Sequence, residues 1–540
     1  MKFISNPLKI TEDRSTPSEV YNWKVYIFGL ILGLSSLEIG YDSGFIGGSV
    51  ALDSFRRDFK LDEMSSSDSS FIISNIVSVF HAGCFFGSIF SYPLTFNYGR
   101  KIGLIGSSII MAIGAIIMLI SSKDRGLGPM YVGRTLTGLG VGASTSIVPV
   151  YLAECSPGPI RGRISSMYEI GWRIGDTVGF FISYGVDSTI SSSTKQWFIP
   201  FSIQLIPAGL YLIGVFYLRE SPRWLYSQDR QSEALKNLTW MRNLDSNHEY
   251  IKWEISNIKS ELEYEKTHTG QGFFDPFLKI LKSKILLRKL FISCSLYILQ
   301  NLYGIQSINY FSPVFFKQIG VKGTNSSLFS TGMFGIVKLI ATLFWSLFIV
   351  EQYGRRTTVL TCAPICAICF YYIGGYVKFN SGGASAKAAL GMLYIWTFFF
   401  IVSLSGTPYI FSAEIISDTT IRGGFQVINS MFLWLSVFLM TRFTTNMIES
   451  MSYGIFFFFA TWAVLTIPFV YFLMPETRGI SLEYMDRLFQ YKAWKAHKLV
   501  LNEIQEESKL DQFERLYEIE ANEKNNSNYI ETKSDETAKL

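Results

Sequence analysis

Tyr131–Arg163 reads YVGRTLTGLGVGASTSIVPVYLAECSPGPIRGR, and this stretch decides the fold. It is apolar and glycine-rich, carries Arg134 near its start, and closes with Glu154 and then Arg161-Gly162. The small residues Gly133, Gly138, Gly140, Gly142 and Ala143 suit a helix packed closely against other membrane helices. An arginine within such a helix is expensive in lipid, so Arg134 is a functional candidate; the plainer reading is that it snorkels to an interface.

The surrounding chain has the composition such a helix needs. Of 540 residues 49% are hydrophobic and only 17% charged, where a soluble chain carries about a quarter charged residues. The charges gather in a few places and leave long apolar runs between them. A net charge of +5 fits basic cytosolic loops and makes no case for nucleic acid. The six cysteines form no disulfide framework. Cys362, Cys366 and Cys369 lie at helical spacing inside an apolar run, where packing is favoured over metal ligation. No nucleophile–base pair, metal motif, phosphate loop or cofactor motif stands out, so the chain does not read as an enzyme. No cleavable signal peptide is visible.

Apolar runs near the length of a membrane span fall at about 24–48, 68–94, 102–121, 128–152, 164–185 and 197–218, and again at 289–317, 327–350, 357–378, 388–412, 424–446 and 454–474. These predict an all-α membrane protein of twelve transmembrane helices in two pseudo-symmetric six-helix halves, residues 24–218 and 289–474. A cytosolic tail (1–23), a charged linker with short helices (219–288) and a polar tail (475–540), disordered beyond about residue 510, complete the expected organisation. The linker and the connections at Gly99–Lys101, Arg161–Arg163 and Gly354–Arg356 are basic, which places them and both termini in the cytosol. The sequon Asn325-Ser326-Ser327 then faces outside, close to a helix start.

The halves repeat each other. Tyr98-Gly99-Arg100-Lys101 recurs as Tyr353-Gly354-Arg355-Arg356, Ala153-Glu154 with Arg161-Gly162 as Ala413-Glu414 with Arg422-Gly423, and Glu220-Ser221 as Glu476-Thr477. The offsets are 255, 260 and 256 residues, which indicates a duplicated unit. Arginines at helix ends facing glutamates of neighbouring helices predict a cytoplasmic latch of Gly99, Arg100, Glu154, Arg161, Glu220, Arg223, Glu351, Gly354, Arg355, Glu414, Arg422 and Glu476. Such a latch would hold the two halves together in one state and release them in the other. The plainer reading is topology signals and surface pairs of little energetic weight.

These motifs carry a resemblance. GYD in the first helix, Gly133-Arg134, PxYxxExxPxxxRG from Pro149, ESPRWL from Glu220, QNLYGIQSINYFSP from Gln300, EQYGRR from Glu351 and PETRG from Pro475 resemble the sugar porters of the major facilitator superfamily. The likeness spans about residues 24–490 with the motifs in family order. GYDSGFIGGSVAL and YPLTFNYGRK resemble the fungal branch containing proton-coupled hexose or fructose symporters and quinate permeases. Phe96-Asn97 replace the family's usual Asp-Arg pair, and Tyr409 stands where a tryptophan is usual.

The resemblance implies sugar contacts at Gln300, Asn301 and Gln306, with Asn309 less clearly one. The chemistry agrees, because amides donate to and accept from hydroxyls. Unpaired in lipid they would be expensive, so they should face a cavity or another helix. Interhelical contact is the alternative. Tyr409 and Trp434 would stack on sugar C–H faces. By the same resemblance Asp42 is the proton carrier and Arg134 its partner, and Glu38, one turn before, could share the proton. A static buried ion pair is the plain alternative, and His81 a weaker proton candidate. Glu169, Arg173 and Asp176 lie at i, i+4 and i+7 on one helix face, where the carboxylates could accept hydroxyls. Lys338 could balance one of those carboxylates or meet an anionic ligand.

The expected function is uptake of a hexose, glucose- or fructose-type, with a proton across the plasma membrane by alternating access. The expected partners are a small-molecule sugar, the proton and the lipid bilayer, with a monomeric functional unit and no nucleic acid. A quinate-type permease, a facilitative hexose carrier and a non-transporting sugar sensor are the rival readings.

Overall fold

The structure is a computed structural model that describes residues 16–504 and 506, apart from 269, 271, 350–351, 380–382, 417 and 481–483. The expected latch residue Glu351 and the tail beyond residue 510 lie outside the described residues.

Among the described residues, twelve long helical segments make up the molecule. The first six are α1 (Trp23–Ala51), α2 (Ser66–Tyr98), α3 (Arg100–Met118), α4 (Gly128–Cys155), α5 (Arg161–Thr189) and α6, which is Thr194–Ile203 continued by Leu205–Tyr217. The second six begin with α7, broken into Lys284–Leu302 and Ile305–Gln318, and α8 (Thr324–Phe344), which ends in a π turn, Trp345–Ile349. They continue with α9 (Arg355–Phe379), α10 (Ala384–Phe400, a π turn at Ile401–Ser405, then Thr407–Glu414), α11 (Thr419–Met451) and α12 (Gly454–Leu473). Eleven helical stretches among the described residues are long and apolar enough to cross a membrane. The missing twelfth is α5, long enough at 29 residues but carrying Glu169, Arg173 and Asp176. The chain is a multi-pass membrane protein. Several helices outrun the apolar runs that announce them, α2 and α11 reaching 33 residues each.

The glycines of the opening stretch explain how α4 is held. A Cβ on Gly138 or Gly142 would lie 2.0 Å from a backbone oxygen of α2, while one on Gly133 or Gly140 would lie 2.6 Å from a backbone oxygen of α3. The helix is therefore wedged backbone to backbone on two sides, which glycine alone permits. Glycines do the same for α1 against α5: a Cβ on Gly40 would fall 1.9 Å from the Trp172 carbonyl oxygen, and one on Gly44 2.4 Å from that of Asp176.

The sequence repeat has a repeated geometry. Arg100 pairs with Glu154 at 2.8 Å and Arg355 with Glu414 at 2.5 Å. Glu220 accepts the backbone N–H groups of Arg100 and Lys101, and Glu476 those of Arg355, Arg356 and Thr357. Each glutamate thus places its charge on the first turn of a helix, α3 or α9, where unsatisfied N–H groups attract an anion. Gly99 and Gly354 precede those turns with φ of +98° and +81°, and a Cβ there would meet the same carboxylates at 2.4 and 2.5 Å. Burial pushes the Glu220 carboxyl above its ordinary value, against the pull of the N–H groups of Ser221, Lys101 and Arg100.

The latch expectation needs correcting in one respect. Arg100–Glu154 closes inside the first half and Arg355–Glu414 inside the second, because each pair joins helices of one six-helix unit. Arg223 instead binds Glu265 at 2.8 Å and also Glu261, both on the linker helix Glu249–His268. Arg422 of α11 shares this charged neighbourhood with Arg161, Arg223, Glu261 and Glu265, so here both halves meet the linker.

Candidate functional site

The two halves touch where α1 packs against the second segment of α7. A Cβ on Gly47 of α1 would lie 2.1 Å from the Tyr310 carbonyl oxygen of α7. His81 of α2 bonds the Tyr310 hydroxyl at 2.9 Å and the Thr441 hydroxyl of α11 at 3.2 Å. Beside these contacts lies a cavity between the halves. Its polar lining comes from Glu169, Arg173 and Asp176 of α5, Gln300, Gln306 and Asn309 of α7, Lys338 of α8, and Ser405 and Tyr409 of α10.

The charged groups form one network. Lys338 donates to Asp176 at 2.7 Å and to the Asn309 side-chain oxygen at 2.5 Å, with its ammonium 4.8–4.9 Å from the Phe334 and Phe180 ring centroids. Arg173 donates to Glu169 at 2.7 Å, to the Ser405 hydroxyl at 2.6 Å and to Asp176 at 3.5 Å. Asp176 also accepts from Ser43 of α1 at 2.8 Å. Two cations and two carboxylates thus balance. The Arg173 Nε and the Gln300 Oε1 are buried with no partner among the described residues, a donor and an acceptor left for a ligand.

A second buried pair lies inside the first half. Arg134 donates to Asp42 at 2.5 Å with both side chains fully buried, donates to the Ile76 carbonyl at 3.1 Å, and covers the Phe80 ring at 4.6 Å. Gln204 also donates to Asp42, at 3.3 Å. Asp42 Oδ2, Arg134 Nη2 and both oxygens of Glu38 have no partner among the described residues. The expected pairing of Asp42 with Arg134 is present.

Comparison with known proteins adds the family. The profile of "Sugar (and other) transporter" matches residues 29–489. The chain belongs to that transporter family. A probable quinate permease of Aspergillus flavus is 46% identical over 512 residues, covering 93% of this chain and 95% of the relative. The quinate permease of Emericella nidulans is 44% identical over 512 residues, covering 92% and 95%. Among solved structures, the proton:xylose symporter XylE bound to 6-bromo-6-deoxy-D-glucose superposes with a TM-score of 0.72 at 24% identity, covering 86% of this chain and 99% of XylE. That likeness shows the major facilitator fold. These relatives are transporters and not enzymes.

Within this transporter, Gln300, Gln306, Glu169, Asp176, Tyr409 and Lys338 line the cavity. Asn301 and Trp434 do not. Asn301 donates to Ser436 of α11 at 2.7 Å and to the Tyr297 carbonyl, so it joins helices. Trp434 donates to Thr145 of α4 at 3.1 Å and stacks on His81 at 6.0 Å. Ser405 is a lining residue that the motifs do not mark. It falls in the π turn of α10, whose widened backbone leaves the Ser405 carbonyl to accept from Gln300 at 2.8 Å. No sequence signal announces that turn.

Proposed function

We propose that the chain is a proton-coupled permease of the plasma membrane for a polyhydroxylated carboxylate of the quinate type. The supporting observation is that Lys338 and Arg173 line the same cavity as Gln300, Gln306 and Asn309. The amides suit ring hydroxyls, and the two cations suit a carboxylate that a hexose lacks. The names of the Aspergillus and Emericella relatives point the same way. A hexose, the substrate expected from the sequence alone, is the second reading. It is favoured by the balanced charge of the cavity, which leaves no net attraction for an anion until one carboxylate withdraws.

The proposed cycle is alternating access, with the two halves rocking about the cavity. Asp42 takes a proton from outside, which weakens its attraction to Arg134; loss of that proton to the cytosol restores the pair. Both termini lie in the cytosol, and the functional unit is the single chain in the lipid bilayer. The test is uptake of labelled quinate, fructose and glucose by a transporter-null yeast, with medium pH recorded, for wild type and Asp42→Asn. Quinate uptake with alkalinisation of the medium, both lost in the variant, is expected. Sugar uptake without quinate uptake would restore the hexose reading, and uptake without proton movement would remove the coupling role of Asp42.

A further inference from the structure

Among the described residues, Asp176–Lys338 is the ion pair that joins the two six-helix halves at membrane depth, Asp176 on α5 and Lys338 on α8. Both side chains are about 1% exposed, yet both line the cavity. The neighbouring charges leave little freedom. From α5 itself Arg173 and Glu169 face the site; from α7, Asn309 and the Tyr310 phenol; from α10, Tyr409; from α1, Ser43, with Asp42 next along the chain and its partner Arg134 on α4. The quartet of Glu169, Asp176, Arg173 and Lys338 is neutral. A bound carboxylate would leave one negative charge unbalanced in a medium where an unpaired charge is strongly disfavoured.

We propose that Asp176 occupies the place of the substrate carboxylate, and that an incoming carboxylate displaces it from Lys338 as Asp176 takes up a proton. This rests on the carboxylate reading given above. The proton comes from the solution on the side where substrate enters, and the new O–H bond forms at a carboxyl oxygen of Asp176. When substrate leaves, that bond breaks, the proton returns to solution and Asp176 regains Lys338. At this site one carboxylate and one proton are taken up and released together, separately from the proton carried by Asp42, and the cavity charge is unchanged.

Geometry selects Asp176 over Glu169. Glu169 is half-buried and holds Arg173 at 2.7 Å, so a carboxylate on Lys338 leaves its partner in place. Asp176 has Lys338 as its close cation, with Arg173 only at 3.5 Å, and loses most of its compensation at once. Its backbone cannot retreat, because Gly40 and Gly44 of α1 are pressed against the same turn of α5. Only the side chain can respond. The Arg173 Nε, without a partner among the described residues, is a second donor for the arriving carboxylate. The exchange also breaks a contact between the halves, so substrate arrival loosens the interface that must reopen.

The test is equilibrium binding of quinate to the purified full chain in lipid nanodiscs across a pH series. For wild type, affinity should fall about tenfold per pH unit above its midpoint, the slope of one linked proton. Asp176→Asn should bind with no pH slope, at least as tightly as wild type at acid pH. Should that variant fail to fold, Ser43→Ala removes a hydrogen bond to the charged carboxylate and should move the wild-type midpoint to higher pH. A wild-type slope retained in Asp176→Asn, or an unmoved midpoint in Ser43→Ala, would overturn the exchange while leaving the substrate reading intact. Absence of quinate binding in wild type, with fructose bound at every pH, would overturn both.

Discussion

The two ion pairs buried at membrane depth differ in where their partners sit. Asp42–Arg134 joins α1 to α4 inside one half, fully buried, with Gln204 and the Ile76 carbonyl around it. Asp176–Lys338 joins the halves and opens onto a cavity. A pair inside a rigid unit persists as the unit moves, and can change only through protonation or local repacking. A pair across an interface that moves, as the proposed cycle requires, is exposed to breakage in each cycle. Equal burial therefore need not mean equal function: under the proposals above, the first pair changes by protonation inside one unit and the second by exchanging partners.

The largest expected effect follows from removing the cation of the internal pair. Arg134→Leu leaves Asp42 buried beside Gln204 alone, and breaking a buried pair in this way costs about 3–5 kcal/mol. Thermal unfolding of the purified protein should shift strongly downward, while Arg134→Leu combined with Asp42→Asn recovers much of the loss. Equal instability in the single and double variants would show that the pair does not account for it.

Lys338→Gln should separate the two pairs. It removes a cation from the interface and spares the interior of each half, so quinate uptake should fall at least tenfold with a smaller change in thermal stability than Arg134→Leu produces. Destabilisation as large as that of Arg134→Leu would erase the distinction.

Within the cavity, Gln300→Ala should weaken substrate affinity by a single hydrogen bond's net worth, about 1 kcal/mol or roughly fivefold. Asn301→Ala, turned toward Ser436, should lower stability more than affinity. Inhibition of labelled quinate binding by unlabelled ligand, alongside melting curves, tests both. The reverse pattern would put Asn301 in the site.

The smallest effects belong to the repeated motif. Arg100→Ala and Arg355→Ala each remove a partly exposed pair, worth about 0–1 kcal/mol. Melting temperatures should therefore shift slightly and by similar amounts, since the two geometries match. A large shift in one alone would show that the repeat conceals an asymmetric role.

Much of this architecture is legible in the sequence. Apolar run length announces helices because lipid leaves backbone groups no other partner. Duplicated motifs at near-constant offset announce the two halves. Spacing by three and four residues puts Glu169, Arg173 and Asp176 on one face of α5, as the structure has them. The pairing of Asp42 with Arg134 follows from the family resemblance and is present at 2.5 Å. The helix whose charges hide it from a hydropathy measure, α5, is evident from its apolar remainder and its place in the repeat.

The cavity lining is legible only in part, and α7 shows why. On a continuous helix Gln300, Asn301, Gln306 and Asn309 cannot share a face. The chain breaks at Tyr303-Gly304, where Gly304 adopts φ +83°, and the second segment starts with a new rotation. That rotation brings Gln306 and Asn309 to the side Gln300 faces, and leaves Asn301 against α11. The sequence by itself determined the helices, the duplication and the supply of amides and charges, because these depend on local composition and spacing. Which amides meet the cavity, and which carboxylate Lys338 holds, were decided by tertiary structure. Helix breaks and contacts between halves set side-chain direction through atoms distant in the chain.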